Sequence, residues 1–306
     1  MEEYWVGAYK LSAHKLISYP VNILARNRTP DQRESEKNLT RGNYNGYMSN
    51  KTKAKVSTML NNWYASIYIA RKRARKTKEK VIPYLTFVTL TLPATQEHSD
   101  NEIKRKCLNL FLTKLKERKH VDHFFWRAET QGNGNLHFHV ICDRYIEKEW
   151  LQKHWNLSVN TLGYVNRFKK TFGHTNPPST HVVKVNSLKE ASQYVVNYMK
   201  KHEGRRLVEG RIWGCSEGLE KIQSLCAIHS SDFAQFEAYL AKNKFVYMKQ
   251  DKCFCVYVAD MFTMLSKSFK QLYTELDRHY YLQYQRLYIN DKPMDFVDKD
   301  NVSFAA

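Results

Sequence analysis

The sequence predicts an α+β fold, in which helices flank a central, mainly antiparallel sheet. Short segments that alternate apolar and polar residues are typical of strands, and longer segments with apolar residues three or four positions apart are typical of helices. Both kinds of segment alternate through the middle of the chain. Two of the predicted strands are joined by the turn "GNGN", which indicates a β-hairpin and therefore an antiparallel sheet.

The composition favours a folded, strongly basic protein. The 306 residues carry a formal net charge of +19, and 42% of them are hydrophobic. A surplus of this size attracts polyanions, of which nucleic acid is the commonest, although a basic but otherwise ordinary enzyme is the alternative. The six cysteines show no CxxC spacing, which favours reduced thiols and a cytoplasmic location. No stretch is long and apolar enough to span a membrane, so we expect no membrane partner.

Residues 1–80 are predicted to form an N-terminal arm and a basic helix. Residues 24–50 are polar and rich in turn formers, whereas residues 51–80 are helical in pattern and end in "RKRARKTKEK". Such a run usually marks a solvated helix end, but this one is nearly all positive, so contact with phosphates is an equal alternative. The candidate DNA-binding residues are Arg71, Lys72, Arg73, Arg75 and Lys76.

Residues 81–215 are predicted to form the central domain. A buried strand is expected in "YLTFVTLTLP" (84–93), and a helix at 99–119 begins at Ser99 or Asp100. The hairpin strands are 123–131 and 136–143. Four further elements are a short helix at "EKEWLQKHW", strands at "GYVNRFK" and "THVVKV", and a helix at 187–204 that opens with a Ser/Glu capping box.

Residues 216–306 are predicted to form a C-terminal extension or small second lobe of mixed structure. Its segments are a helix at "SDFAQFEAYLAKNK", a strand at "KCFCVYVAD" and a long aromatic helix at "MFTMLSKSFKQLYTELDRHYYLQYQRLY". A strand at "GRIWGCS" precedes this region.

The segment "ETQGNGNLHFHVICD" (129–143) carries the clearest chemical signal. Residues at i and i+2 of a strand share a face, so His137 and His139 point the same way and Phe138 points into the core. An odd loop, either "NGN" or "GNGNL", places Glu129 directly across from His139 and Gln131 across from His137. A two-residue turn would instead move Glu129 to the other face.

A ligand set of two histidines and one carboxylate, which leaves other coordination positions of the metal open, suits Mg²⁺, Mn²⁺ or another divalent ion. The alternative is a pair of hydrogen-bonded histidines in a half-exposed strand. With the turn and Glu129 taken into account, the metal site and the hydrogen-bonded histidine pair are about equally well supported by the sequence.

Two tyrosines in "QYVVNYMKK" form a second candidate cluster. Tyr194 and Tyr198 lie at i and i+4 of the predicted helix, and Lys201 follows close to the same side. Aromatic packing explains such a pair by itself. The catalytic alternative is nucleophilic attack by a tyrosine, whose hydroxyl has a pKa near ~10 and needs a metal ion or cation for activation.

Taken together, the three motifs resemble those of the HUH endonuclease superfamily, specifically the rolling-circle replication initiator (Rep) proteins. "FVTLTLP" resembles the first motif of this family, "HFHV" the HUH motif and "YVVNYMKK" the nucleophile motif. The YxxxY spacing resembles the two-tyrosine initiators of small single-stranded DNA phages and plasmids, and the YxxK spacing resembles single-tyrosine initiators. Glu129 lies eight residues before His137, where many of these initiators carry a third metal ligand.

The resemblance implies a palm-like, ferredoxin-like domain that nicks and joins one DNA strand at a replication origin. His137, His139 and Glu129 would hold Mg²⁺ or Mn²⁺. Tyr198 or Tyr194 would attack a phosphate to give a 5′-phosphotyrosine and a 3′-hydroxyl, while Lys201 would bind a phosphate or help to position the ion.

The implied partners are single-stranded DNA with an origin hairpin and a host DNA polymerase, in the cytoplasm of a bacterial host. The chain contains no GxxxxGK[ST] motif, so a host helicase would separate the strands. Two alternatives stay open: an HUH-type single-strand DNA transposase, and a basic nucleic-acid-binding protein without catalysis.

Overall fold

The computed structural model describes residues 4–22, 48–77, 83–185, 206–250 and 254–289. It contains two antiparallel sheets of five strands each, with helices packed against them, and so confirms the predicted α+β class. The strands are β1 (Trp5–Leu11), β2 (Lys15–Asn22), β3 (Thr86–Thr91), β4 (Phe124–Thr130), β5 (Leu136–Cys142), β6 (Thr180–Lys184), β7 (Trp213–Cys215), β8 (Leu225–Ile228), β9 (Val246–Gln250) and β10 (Phe254–Val258).

The helices lie between these strands and after them. They are α1 (Asn50–Thr77), α2 (Asp100–Ile103, a π-helical turn at Lys104–Leu108, and Asn109–Lys119), α3 (Lys148–Val159), α4 (Tyr164–Phe172), α5 (Ser231–Lys242), α6 (Met261–Ser268) and α7 (Lys270–Tyr288). Short 3-10 turns occur at Asn160–Leu162 and Leu219–Lys221. Ser99 caps α2, because its side chain accepts a hydrogen bond from the backbone N–H of Glu102 at 3.2 Å.

The central sheet has the order β6-β3-β5-β4-β7, so the histidine strand β5 is its middle strand. One face of β5 presents Leu136, Phe138 and Val140, all with 0% exposure. Phe138 makes an edge-to-face contact with Trp155 of α3 at 6.0 Å, and Trp155 makes another with Phe111 of α2 at 5.6 Å. This apolar face therefore fixes β5 against two helices, and the opposite face is left for the histidines.

The second sheet joins strands from both ends of the chain, in the order β8-β1-β2-β10-β9. The N-terminal hairpin β1–β2 pairs with β8 on one side and with β10 on the other. Its core contains Leu11 and Leu16 of the hairpin together with Phe236, Leu265 and Leu276 of α5, α6 and α7, all at 0% exposure. The sequence analysis did not predict β1, β2, β8 or β9. β1 and β2 form a local hairpin and β9 pairs with the adjacent β10, whereas the one pairing partner of β8 among the described residues is β1, more than two hundred residues away.

Helix α1 contributes to both hydrophobic cores. Trp63 and Ile67 belong to the core of the central sheet, whereas Ala65 and Ile69 belong to the core of the second sheet. The first pair and the second pair are each four residues apart, so they form two stripes on one helix. The burial of these two apolar stripes fixes α1 against both hydrophobic cores, although the rest of the helix is strongly basic.

One predicted strand of the central domain is a helix. "GYVNRFK" was expected to be a strand, but it forms α4. Gly163 and Gly173 bound the helix with φ values of 78° and 77°, and Tyr164, Val165 and Phe168 are its buried residues. Their i, i+1 and i+4 spacing is helical, and over seven residues it competes with the β propensity of the same side chains.

The C-terminal segment also differs from its prediction. The long aromatic helix is divided into α6 and α7 at Phe269, whose backbone angles of −131° and 61° are not helical. The helix predicted at 187–204 lies outside the described residues. The predicted boundaries after residues 80 and 215 stay predictions.

A buried polar network attaches the end of α7 to the central sheet. The Tyr288 hydroxyl accepts a hydrogen bond from the indole N–H of Trp63 at 2.9 Å and donates one to the Asp143 carboxyl group. Asp143 is fully buried, and this burial raises its pKa to about 7. Its carboxyl group also accepts the backbone N–H of His123 at 2.8 Å, and His123 Nε2 donates to the Leu287 carbonyl at 3.0 Å. The network therefore connects α1, α7 and the loop after β5.

We expect Tyr288→Phe to lower the free energy of unfolding by about 1–3 kcal/mol, because it leaves the polar groups of Trp63 and Asp143 without this partner. Urea unfolding followed by circular dichroism measures the change. Tyr247→Phe is the matched control, since Tyr247 is 72% exposed and should change stability by less than about 0.5 kcal/mol. Equal effects of the two substitutions would contradict a stabilising role for the network.

Candidate metal centre

His137 and His139 lie side by side on one face of β5. Their ring centroids are 4.4 Å apart, and the residues are only 8% and 4% exposed. The alternation of β5 accounts for this placement, because the apolar residues on its other face are anchored in the core. The histidines are thus buried side chains, unlike those of the half-exposed strand considered as the alternative.

The hairpin loop has an odd number of residues, as the metal-site hypothesis requires. Thr130 pairs with Leu136, and the backbone N–H of Gln131 donates to the Asn135 carbonyl at 2.9 Å, so the turn is formed by residues 132–134. Gly134 has a φ of +84°, a left-handed conformation that glycine adopts without strain. The odd loop places Glu129 on the histidine face.

The predicted register is nevertheless wrong by two positions. Glu129 pairs with His137 and not with His139, and Gln131 pairs with Asn135 and not with His137. Asn135 is buried, and its side-chain amide donates to the Ala94 carbonyl at 3.0 Å. Since these contacts hold Asn135 as the last residue before β5, the turn closes one residue earlier than in the predicted "NGN" loop.

The three predicted ligands meet diagonally across the two strands. His139 Nε2 and Glu129 Oε1 are 2.7 Å apart, and one ligand atom from each of Glu129, His137 and His139 lies within 4.8 Å of the others. Burial raises the pKa of Glu129, but its hydrogen bond with His139 and the charges of the histidines and Arg127 outweigh this effect, so its net pKa is lowered. Glu129 is therefore ionised and ready to serve as an anionic ligand.

The donor set fits a divalent metal ion. Two imidazole nitrogens and a carboxylate oxygen form a compact group with a mixed nitrogen and oxygen character. The proton in the hydrogen bond between His139 and Glu129 lies between two of these atoms, so an ion that binds both would displace it. Among the described residues, this is the group of histidine, cysteine and carboxylate side chains that could hold a metal ion.

Neighbouring strands supply the surroundings of the group. Thr89 of β3 pairs with His139, and its hydroxyl is 3.5 Å from His139 Nδ1. Arg127 pairs with His139 from the other side and is 2% exposed. The sequence motifs did not single out Arg127, although its position two residues before Glu129 places it on the same face of β4.

The predicted nucleophiles lie outside the described residues, and so does Lys201. The residues that flank their segment are described. Before it, the backbone N–H of Val185 donates to the Leu85 carbonyl at 2.9 Å. After it, the Arg206 carbonyl accepts the Thr130 hydroxyl at 3.1 Å, and Arg206 Nε donates to the Gly134 carbonyl at 2.9 Å. The described chain that follows this segment is therefore anchored at the hairpin tip, through Thr130 and Gly134.

Part of the predicted DNA-binding run is engaged in packing within the protein. The Arg71 guanidinium lies over the Tyr84 ring at 3.8 Å, and the Lys72 ammonium donates to the Tyr273 hydroxyl. The run therefore helps to hold α1 against α7.

The third arginine of the run, Arg73, forms a salt bridge with Asp277 of α7. Arg75 and Lys76, at the end of α1, are exposed. The DNA-binding role of the run stays a prediction, and the last two residues are the ones that face solvent most openly.

The fold and the site define an α+β protein with a buried group of two histidines and one glutamate on the middle strand of an antiparallel sheet. Residues 85–203 match a family model of replication-associated proteins, described as Replication-associated protein ORF2. This match supports a replication initiator. It covers the histidine strand, the hairpin and the segment with the two tyrosines.

The curated proteins contain no match to the chain. Among the described residues, none of the helices combines the length and apolar character needed to cross a membrane.

We expect Phe138→Ala to lower the free energy of unfolding by about 3–5 kcal/mol, because it creates a cavity under the histidine face. Thermal and urea unfolding measure the loss. Phe172→Ala removes the same side chain from a position that is 61% exposed, and should cost less than about 1 kcal/mol. A tolerated Phe138→Ala would show that β5 is not anchored by this side chain.

Proposed function

We propose that this protein is an HUH endonuclease of the two-tyrosine type, which nicks and rejoins one DNA strand to initiate rolling-circle replication. The observation that carries the proposal is the group of Glu129, His137 and His139 on the middle strand of the central sheet. The match of residues 85–203 to a replication-associated family supports the same function. In this proposal the enzyme works in the cytoplasm of a bacterial host.

The metal ligands would be His137, His139 and Glu129, and the ion would be Mg²⁺ or Mn²⁺. When bound, this ion would supply positive charge that polarises a DNA phosphate and stabilises the negative charge formed in the transition state. The chain's own contribution is a fixed geometry. β5 presents both imidazoles on one face, and Glu129, whose pKa is lowered by its hydrogen bond with His139 and by the nearby positive charges, lies across from His137 on β4.

The nucleophile would be Tyr198 or Tyr194. Its hydroxyl oxygen would form a bond to the phosphorus as the bond to the 3′-oxygen breaks. The tyrosine proton is lost and the leaving 3′-oxygen takes up a proton, which gives a 5′-phosphotyrosine and a free 3′-hydroxyl. The bond energy is retained, so the reverse attack by a 3′-hydroxyl rejoins the strand. Lys201 would bind a phosphate or help to position the ion.

The anchoring of the chain is consistent with this role. Arg206 is fixed at the hairpin tip through Thr130 and Gly134. Tyr198 precedes Arg206 by eight residues, a stretch that can span at most roughly 29 Å. The tether therefore permits a tyrosine from this segment to reach the histidine face.

Single-stranded DNA and an origin hairpin would be the substrates. The formal charge of +19 supports binding to a polyanion, and exposed Arg75 and Lys76 are candidate phosphate contacts. A host helicase would open the duplex, and a host DNA polymerase would extend the 3′-hydroxyl.

We expect purified protein with Mn²⁺ to become covalently attached to a single-stranded oligonucleotide that carries the origin of its replicon. Tyr194→Phe and Tyr198→Phe should each retain part of the adduct, whereas the double variant should form none. Denaturing gel electrophoresis of labelled DNA measures the adduct. Tyr247→Phe is the control, because Tyr247 is an exposed tyrosine of the second sheet.

The pattern of adducts distinguishes the alternatives. Complete loss in one single variant and full activity in the other indicates a single-tyrosine enzyme, such as a transposase. An undiminished adduct in the double variant would refute both tyrosines as nucleophiles. If the protein forms no adduct with any strand of the replicon, the nicking function is refuted and the alternative of a DNA-binding protein without catalysis is favoured.

We expect Glu129→Gln to weaken Mn²⁺ binding at least tenfold, because the amide removes the anionic ligand while it keeps the shape of the side chain. Electron paramagnetic resonance of free Mn²⁺ measures the affinity. His181→Ala is the matched control, since His181 is an exposed histidine on β6, across β3 from the site. Equal binding by Glu129→Gln and the unaltered protein would exclude this carboxylate as a ligand.

A further inference from the structure

Arg127 carries a permanent positive charge on the strand next to the candidate metal ligand His139. It lies on β4, where it pairs with His139 of β5 on one side and with Trp213 of β7 on the other. The residue is 2% exposed and is among the largest fully buried side chains. A guanidinium keeps its proton in proteins, so Arg127 carries its charge at every pH at which the protein is folded.

The charge of Arg127 reaches the ligand group. Arg127 and Glu129 are two residues apart on one strand and therefore share a face. The positive charge of Arg127 is one of the influences that lower the pKa of Glu129, after those of the two histidines. Burying a cation is unfavourable unless opposite charge compensates it, and Glu129 provides part of that compensation.

The strands of the central sheet offer little negative charge for a metal ion. Within the five described strands, Glu129 is the one carboxylate. With neutral histidines, the charges of Glu129 and Arg127 sum to zero before any ion arrives. A divalent ion would therefore bring two positive charges to a group of strand residues, Glu129 and Arg127, that itself offers no net negative charge. Mg²⁺ sites commonly combine one or two carboxylates with the phosphates of a substrate.

We propose that Arg127 keeps the affinity of the DNA-free site for a divalent ion low, so that the site fills when a DNA phosphate binds beside the ion. This inference rests on the proposed function, because it takes His137, His139 and Glu129 as the metal ligands. The phosphate contributes the negative charge that the protein lacks, and Arg127 attracts it as well. Ion and DNA then promote each other's binding by the same factor.

The experiment measures Mn²⁺ affinity of the full chain by electron paramagnetic resonance, without DNA and with a random-sequence single-stranded 30-mer. Mn²⁺ bound by the oligonucleotide alone is subtracted. The double variant Tyr194→Phe, Tyr198→Phe serves as the background, so that no DNA is cleaved. In this background we expect the oligonucleotide to raise Mn²⁺ affinity at least tenfold.

Substitutions of Arg127 test the origin of the low affinity. Arg127→Met should bind Mn²⁺ at least tenfold more tightly than the background protein when DNA is absent, because it removes one positive charge. Arg127→Gln supplies a second neutral variant if the first does not fold. Arg127→Lys retains the charge and should keep the low affinity. A purely structural role for Arg127 predicts the opposite, namely weaker ion binding in every variant.

The outcomes separate this inference from the proposed function. His137→Ala should lose Mn²⁺ binding with DNA present, and undiminished binding would overturn the metal site and the inference together. If His137→Ala loses binding but the neutral Arg127 variants bind no more tightly than the background protein, the metal site stands and the role of Arg127 is refuted. An oligonucleotide that leaves Mn²⁺ affinity unchanged also refutes that role.

Discussion

The pairing register of β4 and β5 is the constraint on which the candidate site depends. Side chains alternate between the faces of a strand, so a shift by one residue would separate Glu129 from both histidines. The three-residue turn and the anchored Asn135 set this register at the loop. Phe138, packed between the sheet and its helices, sets it in the core. The polar group is thus positioned by apolar contacts on the other side of the same strand.

The sequence contains enough information for the faces of this hairpin but not for its exact pairing. Alternation in "LHFHVICD" identifies the histidine face, and an odd loop places Glu129 on it. A three-residue loop at 132–134 and one at 133–135 have the same parity, so parity does not determine whether His137 or His139 lies across from Glu129. That choice depends on Asn135, whose contacts with Ala94 and Gln96 link segments about forty positions apart.

Other parts of the fold depend on contacts that are remote in sequence. β1 and β2 form a local hairpin, but their outer edges pair with β8 and β10, more than two hundred residues away, and no local pattern predicts those pairings. The basic run of α1 shows the same limitation for charge. Arg71 and Arg73 belong to a run whose composition is typical of a phosphate-binding segment. In the structure, however, Arg71 contacts Tyr84 and Arg73 contacts Asp277. A count of positive residues does not show which of them are already engaged within the protein.

The connection of the second sheet has a consequence for biosynthesis. β1 and β2 leave the ribosome early, but their neighbours β8 and β10 follow only after the entire central sheet. Until then both edges of the N-terminal hairpin lack their final partners, and unpaired edges promote aggregation. The central sheet is in this sense an insertion within the second one, so removing either end of the chain would leave an incomplete sheet behind.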